Sequence, residues 1–334
     1  MKSAFIIEGS GIDAITLRDV DLPAPSAGEA QVRLHCATIN FRDLIVAKGL
    51  LIPSMGGITG GAERVPMSCA TGVVTAVGEG VSRVKVGDRV SPIFAQSWLH
   101  GRDPSMDMLG GLADGVARQA ANFSAEGLVH VPDELGDLEA ATFACAGLTA
   151  WNALFLDRPI QPGEWVLCHG TGGVSLAAMQ FAKAHGAKVI LTSSSDAKLR
   201  RASALGADVT LNYRDDPDWA AKARAASGGV HIVVDVAGAD QLSANASTLA
   251  PDGIIAAIGM LESEFSWARI GQSEARIVPI NVGNRDEHEA MMAFCVKHRV
   301  RPVVDVVYDL DRIRDAFRHA ESGQFFGKVG INLL

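Results

Sequence analysis

The chain has 334 residues, of which 48% are hydrophobic and 35 are glycine, and its net charge is −8. One hydrophobic core rarely serves a chain of this length, so we expect about two globular domains. The negative charge argues against nucleic acid and anionic membrane as partners. The five cysteines are scattered without a CxxC pair, which favours a reducing, cytoplasmic compartment. Residues 1–9 are too short an apolar run for a secretory signal, and the uncharged stretch 140–156 is typical of a buried helix and loop.

Residues 1–130 are predicted to be β-rich. Apolar and polar residues alternate over 31–39, as in a half-buried strand, and further strands are predicted at 73–77 and 89–93. A long segment, 95–115, follows with Trp98 and His100 among glycines. A loop of this length inside a compact domain is usually functional or mobile, so these two side chains form either a lid over substrate or an ordinary surface loop.

Residues 163–195 contain the most informative pattern of the chain. A short apolar run at 165–168 is followed by the turn Gly170-Thr171-Gly172-Gly173, an amphipathic helix from Val174 to 185 and a second apolar run at 188–192. Glycines in such a turn let the backbone approach a pyrophosphate, which the N-terminus of the helix then holds. Because the turn follows a strand and opens a helix, the pattern predicts a dinucleotide-binding site. Ser175, a small residue, takes the place of the usual third glycine.

From about residue 138 onward, helix-period and strand-period segments alternate. Six strands are predicted, at 165–168, 188–192, 208–211, 231–236, 253–258 and 276–282. This alternation predicts an α/β fold with a doubly wound parallel sheet. A strand at 302–307, a helix at 310–322 and a strand at 328–332 follow, and we expect them to return to the first domain. The predicted domains are therefore 1–130 with 300–334, and 131–299.

Several short motifs in order carry a family resemblance over nearly the whole chain. They are the stretches 40–44 (NFRDL), 72–81 (GVVTAVGEGV), 85–90 (KVGDRV), 146–151 (AGLTAW), 204–208 (ALGAD), 326–329 (FGKV) and the glycine turn. Together they resemble the medium-chain dehydrogenase/reductase superfamily, and most of all its zinc-independent NAD(P)-dependent alcohol dehydrogenase-like branch, near the quinone oxidoreductases. The resemblance implies a Rossmann domain inserted into a GroES-like catalytic domain, and a homodimer that pairs through the strand at 276–282.

The zinc ligands of that superfamily are missing from the matching positions. The cysteine position falls on Asn40, and the Gly-His-Glu triplet falls on residues 67–69, which puts Ser68 at the histidine. Amide and hydroxyl side chains are not zinc ligands, so we predict no metal. An unusual site built from His35 with either Cys36 or Cys69 is the alternative, although Cys36 is expected to be a core residue of its strand.

The cofactor is predicted to be NADPH, with NADH as the alternative. The acid that binds the ribose 2′-hydroxyl in NAD-preferring folds is replaced by Ser193, followed by Ser194, Ser195 and Lys198, although Asp196 could favour NAD. The alternative to a cofactor site is a serine-rich turn that only begins and caps the following helix. By resemblance, further residues contact the cofactor: Tyr213 and Lys328 the adenosine phosphate, and Thr149, Gly238, Gly259, Met260 and Val282 the ribose and nicotinamide.

A nicotinamide transfers hydride, so the protein must stabilise the charge that develops on a small-molecule substrate. Without a metal, a quinone or enone is the easiest acceptor, because hydride addition gives a delocalised enolate that hydrogen-bond donors can hold. We predict Asn40 as the polar contact and Thr149 as a positioning residue; a turn-forming role is the alternative for Asn40. Cys69 lacks a histidine base for a nucleophilic role. Two other functions stay open: a metal-free alcohol dehydrogenase or carbonyl reductase, and a nicotinamide-binding protein without turnover. The segments expected to select the substrate are 50–64, 95–115 and 261–272.

Overall fold

The computed structural model describes residues 1–7, 9–50, 63–105, 107–259 and 275–334. The chain divides into two compact units, residues 1–148 with 282–334 (unit 1) and residues 149–281 (unit 2). The insertion predicted from the sequence is therefore present, but both boundaries differ from the predicted ones. Residues 131–148 and 282–299 lie with unit 1. Met260 and most of the segments 50–64 and 261–272 fall outside the described residues.

Unit 1 is built on β-sheets, as the sequence predicts. One sheet has the order β2-β1-β4, and a seven-stranded sheet has the order β15-β16-β3-β5-β6-β8 with β7 paired to β3. Buried alternate residues of β3, Val32 and Leu34, pack in a core with Phe123 and Phe317. The strands are β1 (Lys2–Ile7), β2 (Thr16–Asp19), β3 (Glu29–Thr38), β4 (Glu63–Arg64), β5 (Cys69–Val77), β6 (Arg89–Pro92), β7 (Ala120–Ser124), β8 (Leu128–His130), and, after unit 2, β15 (Val304–Asp309) and β16 (Lys328–Asn332).

Helices cover this sheet system at four places. A π-helical turn, Phe143–Gly147, follows the second of them, and helix α3 (Leu148–Phe155) begins directly after that turn and runs across the boundary into unit 2. In the segment 95–115, Trp98 is buried in a cluster with Phe94 and Ala95, while His100 is exposed; the role of a lid over substrate stays a prediction. The helices are α1 (Phe41–Ala47), α2 (Asp137–Ala140), α8 (Arg285–His298) and α9 (Ile313–Ser322).

Unit 2 is a parallel six-stranded sheet of order β11-β10-β9-β12-β13-β14. This order places the first strand, β9, at the point where the strand sequence changes direction, as in doubly wound dinucleotide folds. The predicted fold class is confirmed. The elements are β9 (Trp165–His169), α4 (Gly173–Ala184), β10 (Lys188–Ser193), α5 (Asp196–Ala204), β11 (Val209–Asn212), α6 (Trp219–Ser227), β12 (Val230–Asp235), α7 (Leu242–Thr248), β13 (Leu249–Ala257) and β14 (Arg276–Pro279).

Within the described part of the chain, no helix has both the length and the apolar character needed to cross a membrane. The strand β14 lies at the edge of the unit 2 sheet, which is the place expected of it from the sequence.

Candidate active site and cofactor-binding residues

The glycine turn of unit 2 connects the end of β9 to the first turn of α4. Gly170 has a φ of +72°, a conformation that side chains disfavour, and its N–H donates to the Thr192 carbonyl at 2.8 Å. Gly172 caps α4 with an extended backbone, and a Cβ built on it would meet no atom within 4 Å. The turn therefore leaves open space beside a helix N-terminus whose first-turn amides lack intrahelical partners. Thr171, Gly173 and Val174 form the rest of this turn and the start of the helix.

His169, next to this turn, is buried, and both of its ring nitrogens have hydrogen-bond partners. Its Nδ1 lies 3.0 Å from Thr192 Oγ1 and its Nε2 lies 2.7 Å from Asn245 Oδ1. The amide oxygen of Asn245 only accepts, so Nε2 carries the proton and Nδ1 accepts from the threonine. Burial lowers the pKa of His169. The neutral imidazole thus joins β9, β10 and α7 beneath the turn.

Serines occupy the carboxyl end of β10. Ser193 is buried, and its Oγ accepts from the N–H of Ser195 at 3.2 Å, while Ser195 Oγ accepts from the N–H of Lys198 and caps α5. The Tyr213 N–H donates to the Ser193 carbonyl at 3.2 Å, and the Tyr213 side chain is 48% exposed. The structure therefore brings Ser193, Ser195, Lys198 and Tyr213 together with the half-buried Ser194.

Asp196, the acid that follows these serines in sequence, already has a hydrogen-bond partner within unit 2. Asp196 accepts a hydrogen bond from Asn212 Nδ2 at 2.7 Å. Asn212 also donates to Asp215, at 2.6 Å, so its amide ties two carboxylates to the end of β11. Hydroxyl groups therefore dominate the end of β10, and Asp196 already accepts a hydrogen bond from within unit 2.

Two further predicted residues lie at the same edge of the sheet, after β12 and β13. The Asp235 Oδ1 atom accepts from the N–H groups of Ala237 and Gly238 at 2.9 and 3.1 Å, which turns the chain sharply after β12. A Cβ on Gly259 would stand 2.4 Å from the Val236 carbonyl, so only glycine permits this contact between the two loops. Since the carboxyl ends of parallel strands share one edge, these loops and the glycine turn line the same side of unit 2.

Thr149 and Val282 fall at the unit boundaries. Thr149 is buried in the first turn of α3, at the start of unit 2. Val282 belongs to unit 1, where it packs against the cluster of Phe94, Ala95 and Trp98. Their predicted contacts with the cofactor remain predictions.

In unit 1, the register of neighbouring strands brings Asn40 and Lys328 together. Strand β16 runs antiparallel to β3 with Gly330 opposite Thr38, so Lys328 comes opposite position 40. The Lys328 ammonium is buried and donates to Asn40 Oδ1 at 2.6 Å and to the Ile39 carbonyl. Both of these partners belong to unit 1, and the adenosine-phosphate contact expected of Lys328 remains a prediction.

The rest of the Asn40 side chain points to the start of β5. Its Nδ2 lies 3.3 Å from Ser68 Oγ and 3.1 Å from Cys69 Sγ. The residue before them, Met67, has a φ of +72°, which is rare for a bulky side chain and marks a strained turn. Asn40 thus occupies the position expected of the superfamily's first zinc ligand, and Ser68 occupies that of the second. The amide of Asn40 joins the two positions by a hydrogen bond.

Asp43 supports this arrangement from α1. Its Oδ2 accepts from the Asn40 N–H at 2.8 Å, which fixes the start of the helix, as expected of a capping role. Burial raises the pKa of Asp43, although the Asn40 N–H and the charges of Arg42 and Lys328 act in the opposite direction. Burial likewise lowers the pKa of Lys328, against the effect of the nearby thiols and Asp43.

Cys145, which sequence reasoning did not select, completes the cluster. It lies in the π-helical turn, and its thiol hydrogen-bonds with the thiol of Cys69. Burial alone would raise the pKa of Cys69, but the bond with Cys145, the charge of Lys328 and the bond from Asn40 lower it to about 7. The bond with Cys69 and burial raise the pKa of Cys145. The two sulfurs lie 76 positions apart in sequence, so no local pattern reveals the pair.

The alternative site at His35 and Cys36 is not assembled. His35 Nδ1 pairs with Asp137 Oδ2 at 2.8 Å, and Cys36 Sγ lies 3.2 Å from Thr71 Oγ1. Burial raises the pKa of Cys36 to about 11, as in a core cysteine. Across the described ranges, no three His, Cys, Asp or Glu side chains come close enough together to hold a metal ion.

Comparison with known proteins identifies the family of the chain. Residues 26–133 match the model of the alcohol dehydrogenase GroES-like domain, and residues 173–297 match that of the zinc-binding dehydrogenases. A zinc-type alcohol dehydrogenase-like protein of Schizosaccharomyces pombe is 38% identical over 98% of this chain and 97% of its own length.

Solved structures extend this agreement to the whole fold. The putative alcohol dehydrogenase of Sinorhizobium meliloti 1021 is 33% identical with a TM-score of 0.88, over 99% of this chain and 98% of that one. The Escherichia coli quinone oxidoreductase complexed with NADPH covers 99% and 100%, with a TM-score of 0.83 at 24% identity, and shows the fold alone. The chain belongs to the medium-chain dehydrogenase/reductase superfamily of oxidoreductases.

Proposed function

We propose that this protein is a zinc-independent, NADPH-dependent oxidoreductase that transfers hydride to an activated C=C or C=O bond, such as that of an enone or a quinone. The observation that carries the proposal is the Lys328–Asn40 pair, in which an ammonium group takes the place of a metal ion at the start of β5. Membership of the superfamily supports hydride chemistry, and the open glycine turn supports a dinucleotide.

The donor set at this position does not fit zinc. Zinc takes thiolate, imidazole and carboxylate ligands. Asn40 and Ser68 offer an amide and a hydroxyl, and the Asn40 oxygen already accepts from the Lys328 ammonium at 2.6 Å. The thiols of Cys69 and Cys145 lie beside them, but among the described residues no third thiol, imidazole or carboxylate joins these two to complete a zinc ligand set. A second cation so close to that ammonium would be repelled strongly in a buried site. The chemistry proposed here therefore includes no step through a metal.

The residues of unit 2 fit a nicotinamide dinucleotide. Gly170, Gly172 and the first turn of α4 would hold the pyrophosphate, and Ser193, Ser194, Ser195, Lys198 and Tyr213 would hold the adenosine ribose and its phosphate. The cofactor, once bound, supplies the hydride. Support for NADPH over NADH comes from the serines at the end of β10 and from Asp196, which accepts from Asn212.

The residues of unit 1 would stabilise the product of hydride addition. Addition to the β-carbon of an enone moves negative charge onto the carbonyl oxygen. The Asn40 amide donates to Ser68 and Cys69, and the Lys328 ammonium donates to Asn40 and Ile39. Within the described structure the ammonium thus has one N–H left for the oxyanion, and its buried positive charge stabilises that oxyanion further. Cys69, with a pKa of about 7, is a group near this pair that exchanges a proton at neutral pH. Protonation of the enolate carbon, from Cys69 or water, completes the reduction.

The first experiment uses protein freed of metal by a chelator, with a conjugated enal and either NADPH or NADH. We expect oxidation of NADPH in preference to NADH, with a saturated aldehyde as the product and no gain in rate on adding zinc. An allylic alcohol would instead establish a carbonyl reductase or alcohol dehydrogenase. Cofactor binding without turnover over a broad panel of enals, quinones and ketones would favour a non-catalytic binding protein. Activity that needs added zinc would overturn the metal-free site.

A homodimer in the cytoplasm is proposed as well. The edge position of β14 supports pairing of the unit 2 sheet with that of a second copy, and the five reduced cysteines support a reducing compartment. Sedimentation equilibrium tests the dimer, and a monomer at all concentrations would contradict it.

A further inference from the structure

Two of the five cysteines are placed as a pair. Cys69 begins β5 and is fully buried, whereas Cys145, in the π-helical turn, is half-buried. Their thiols hydrogen-bond with each other. Cys69 begins a strand that packs against the π-helical turn holding Cys145, and a disulfide requires the two sulfurs to approach to about 2.05 Å.

The other three cysteines lack such a neighbour. The Cys36 thiol shares a hydrogen bond with Thr71 Oγ1. Cys168 lies within β9 and Cys295 within α8, and burial raises the pKa of each to about 12. Among the described residues these three are inert core thiols, and they serve as internal controls.

The surroundings of Cys69 activate its sulfur. The Asn40 Nδ2 lies 3.1 Å from Cys69 Sγ, and the buried Lys328 ammonium is anchored on the same amide. A hydrogen-bond donor and a cation both stabilise a thiolate, which is the nucleophilic form of cysteine. The neighbouring Cys145 keeps its proton until the second step, in which its sulfur attacks and the proton leaves.

We propose that Cys69 and Cys145 form a peroxide-sensitive dithiol that closes to a disulfide, a modification that needs neither the cofactor nor the substrate of the proposed reductase. The Cys69 thiolate attacks one oxygen of a hydroperoxide; the O–O bond breaks, and water or an alcohol leaves after taking up a proton. The Cys69 sulfenic acid is then attacked by the Cys145 sulfur. The S–O bond breaks, and water leaves with the Cys145 proton. The dithiol loses two electrons and the hydroperoxide gains them.

The site selects a small oxidant because Cys69 is fully buried. Hydrogen peroxide fits this requirement better than oxidised glutathione. Disulfide formation would also draw Cys69 Sγ away from Asn40 Nδ2 and remove the thiolate from the neighbourhood of Lys328. An external dithiol such as dithiothreitol would reverse the modification.

The test treats the folded full-length protein with hydrogen peroxide, then denatures it, alkylates the remaining thiols and maps them by mass spectrometry. We expect two fewer alkylated cysteines, a mass lower by about 2 Da before alkylation, and a peptide in which Cys69 is linked to Cys145. Cys36, Cys168 and Cys295 should remain fully alkylated. Oxidised glutathione should act at least tenfold more slowly, and dithiothreitol should restore all thiols.

Two variants separate the steps. Cys145→Ser should leave Cys69 as a sulfenic acid that dimedone traps, whereas Cys69→Ser should leave Cys145 unmodified. Cys36→Ser is the matched control and should form the Cys69–Cys145 link at the wild-type rate. Retention of all five thiols in the wild type, or a link to another cysteine, overturns the proposal. Equal cross-linking in protein denatured before oxidation would also overturn it, because the pairing would then not depend on the fold. None of these readouts requires turnover, so they stand apart from the proposed function.

Discussion

Replacing three glycines by alanine separates cofactor binding from folding. A Cβ on Gly172 would meet no protein atom within 4 Å, whereas a Cβ on Gly259 would stand 2.4 Å from the Val236 carbonyl. A Cβ on Gly136 would make only ordinary contact, 3.5 Å from Glu139 Oε2. Gly172 and Gly136 both have φ values open to alanine, −79° and −69°. The three substitutions are therefore chemically alike but meet different surroundings.

The Gly172→Ala variant should fold at least as well as the wild type and bind NADPH poorly. Alanine restricts the unfolded chain, which stabilises the native state by about 0.4–1 kcal/mol where the backbone permits it. The new methyl group stands in the space proposed for the pyrophosphate. Loss of one charge-assisted hydrogen bond there costs about 1.5–3 kcal/mol. The Kd for NADPH should consequently rise roughly ten- to hundredfold.

The assays are thermal unfolding without ligand and NADPH titration by fluorescence. Gly259→Ala should lower the unfolding midpoint, since overpacking against backbone costs about 1–3 kcal/mol. Gly136→Ala should leave the Kd for NADPH unchanged. Wild-type affinity in Gly172→Ala would refute the assignment of the glycine turn to the cofactor, and unfolding of that variant would refute the open space beside it.

Three other predictions concern Lys328, Ser194 and His288. Lys328→Met should lower kcat at least tenfold while the Kd for NADPH changes less than twofold, measured by stopped-flow reduction of an enal; a changed Kd with unchanged kcat would restore the adenosine-phosphate role. Ser194→Asp should lower the ratio of NADPH to NADH affinity about tenfold through charge repulsion; an unchanged ratio would contradict the site at the end of β10. Burial lowers the pKa of His288 to about 4, and both ring nitrogens lack partners within the described structure. Only the unfolded chain binds a proton there between pH 6.5 and about 4, so on the order of 3 kcal/mol of stability is lost as pH falls through that window. His288→Leu should flatten this part of the urea-unfolding profile, and an unchanged slope would contradict the assignment.

Local patterns in the sequence predict the elements of unit 2 well. Strand and helix periods there are short and separated by glycine turns, so β9, α4 and β10 begin and end within two residues of their predicted bounds. The last strand, β16, has the predicted bounds of 328 and 332. These elements depend on hydrophobic periodicity and turn residues, which are properties of neighbouring positions.

The domain boundaries could not be predicted in the same way. The helix α8 has the alternating composition of a Rossmann helix, but its buried residues include His288 and Met291, and it packs against β8 of unit 1. Which of two cores a helix covers depends on tertiary contacts and not on its own period. Assigning it from position along the chain therefore extended the predicted nucleotide domain to residue 299.

The cluster around Asn40 was predicted only in part for a similar reason. The sequence pointed to Asn40 and weighed Cys69, but the partners Lys328 and Cys145 lie 288 positions from Asn40 and 76 from Cys69. The missing information is strand register: Gly330 stands opposite Thr38 in one neighbour of β3, and Cys69 stands opposite the same Thr38 in the other. Without that register, nothing in the sequence indicates that Lys328 contacts Asn40.

The most direct test of metal-free hydride addition locates, in the product, the hydrogen atom transferred from NADPH. Chelator-treated protein would reduce a conjugated enal with NADPH carrying deuterium at C4 of the nicotinamide, using each C4 stereoisomer in turn. We expect deuterium at the β-carbon of a saturated aldehyde, from one stereoisomer only, with no zinc present. Deuterium at the carbonyl carbon, or transfer that occurs only after zinc is added, would contradict metal-free hydride addition supported by Asn40 and Lys328.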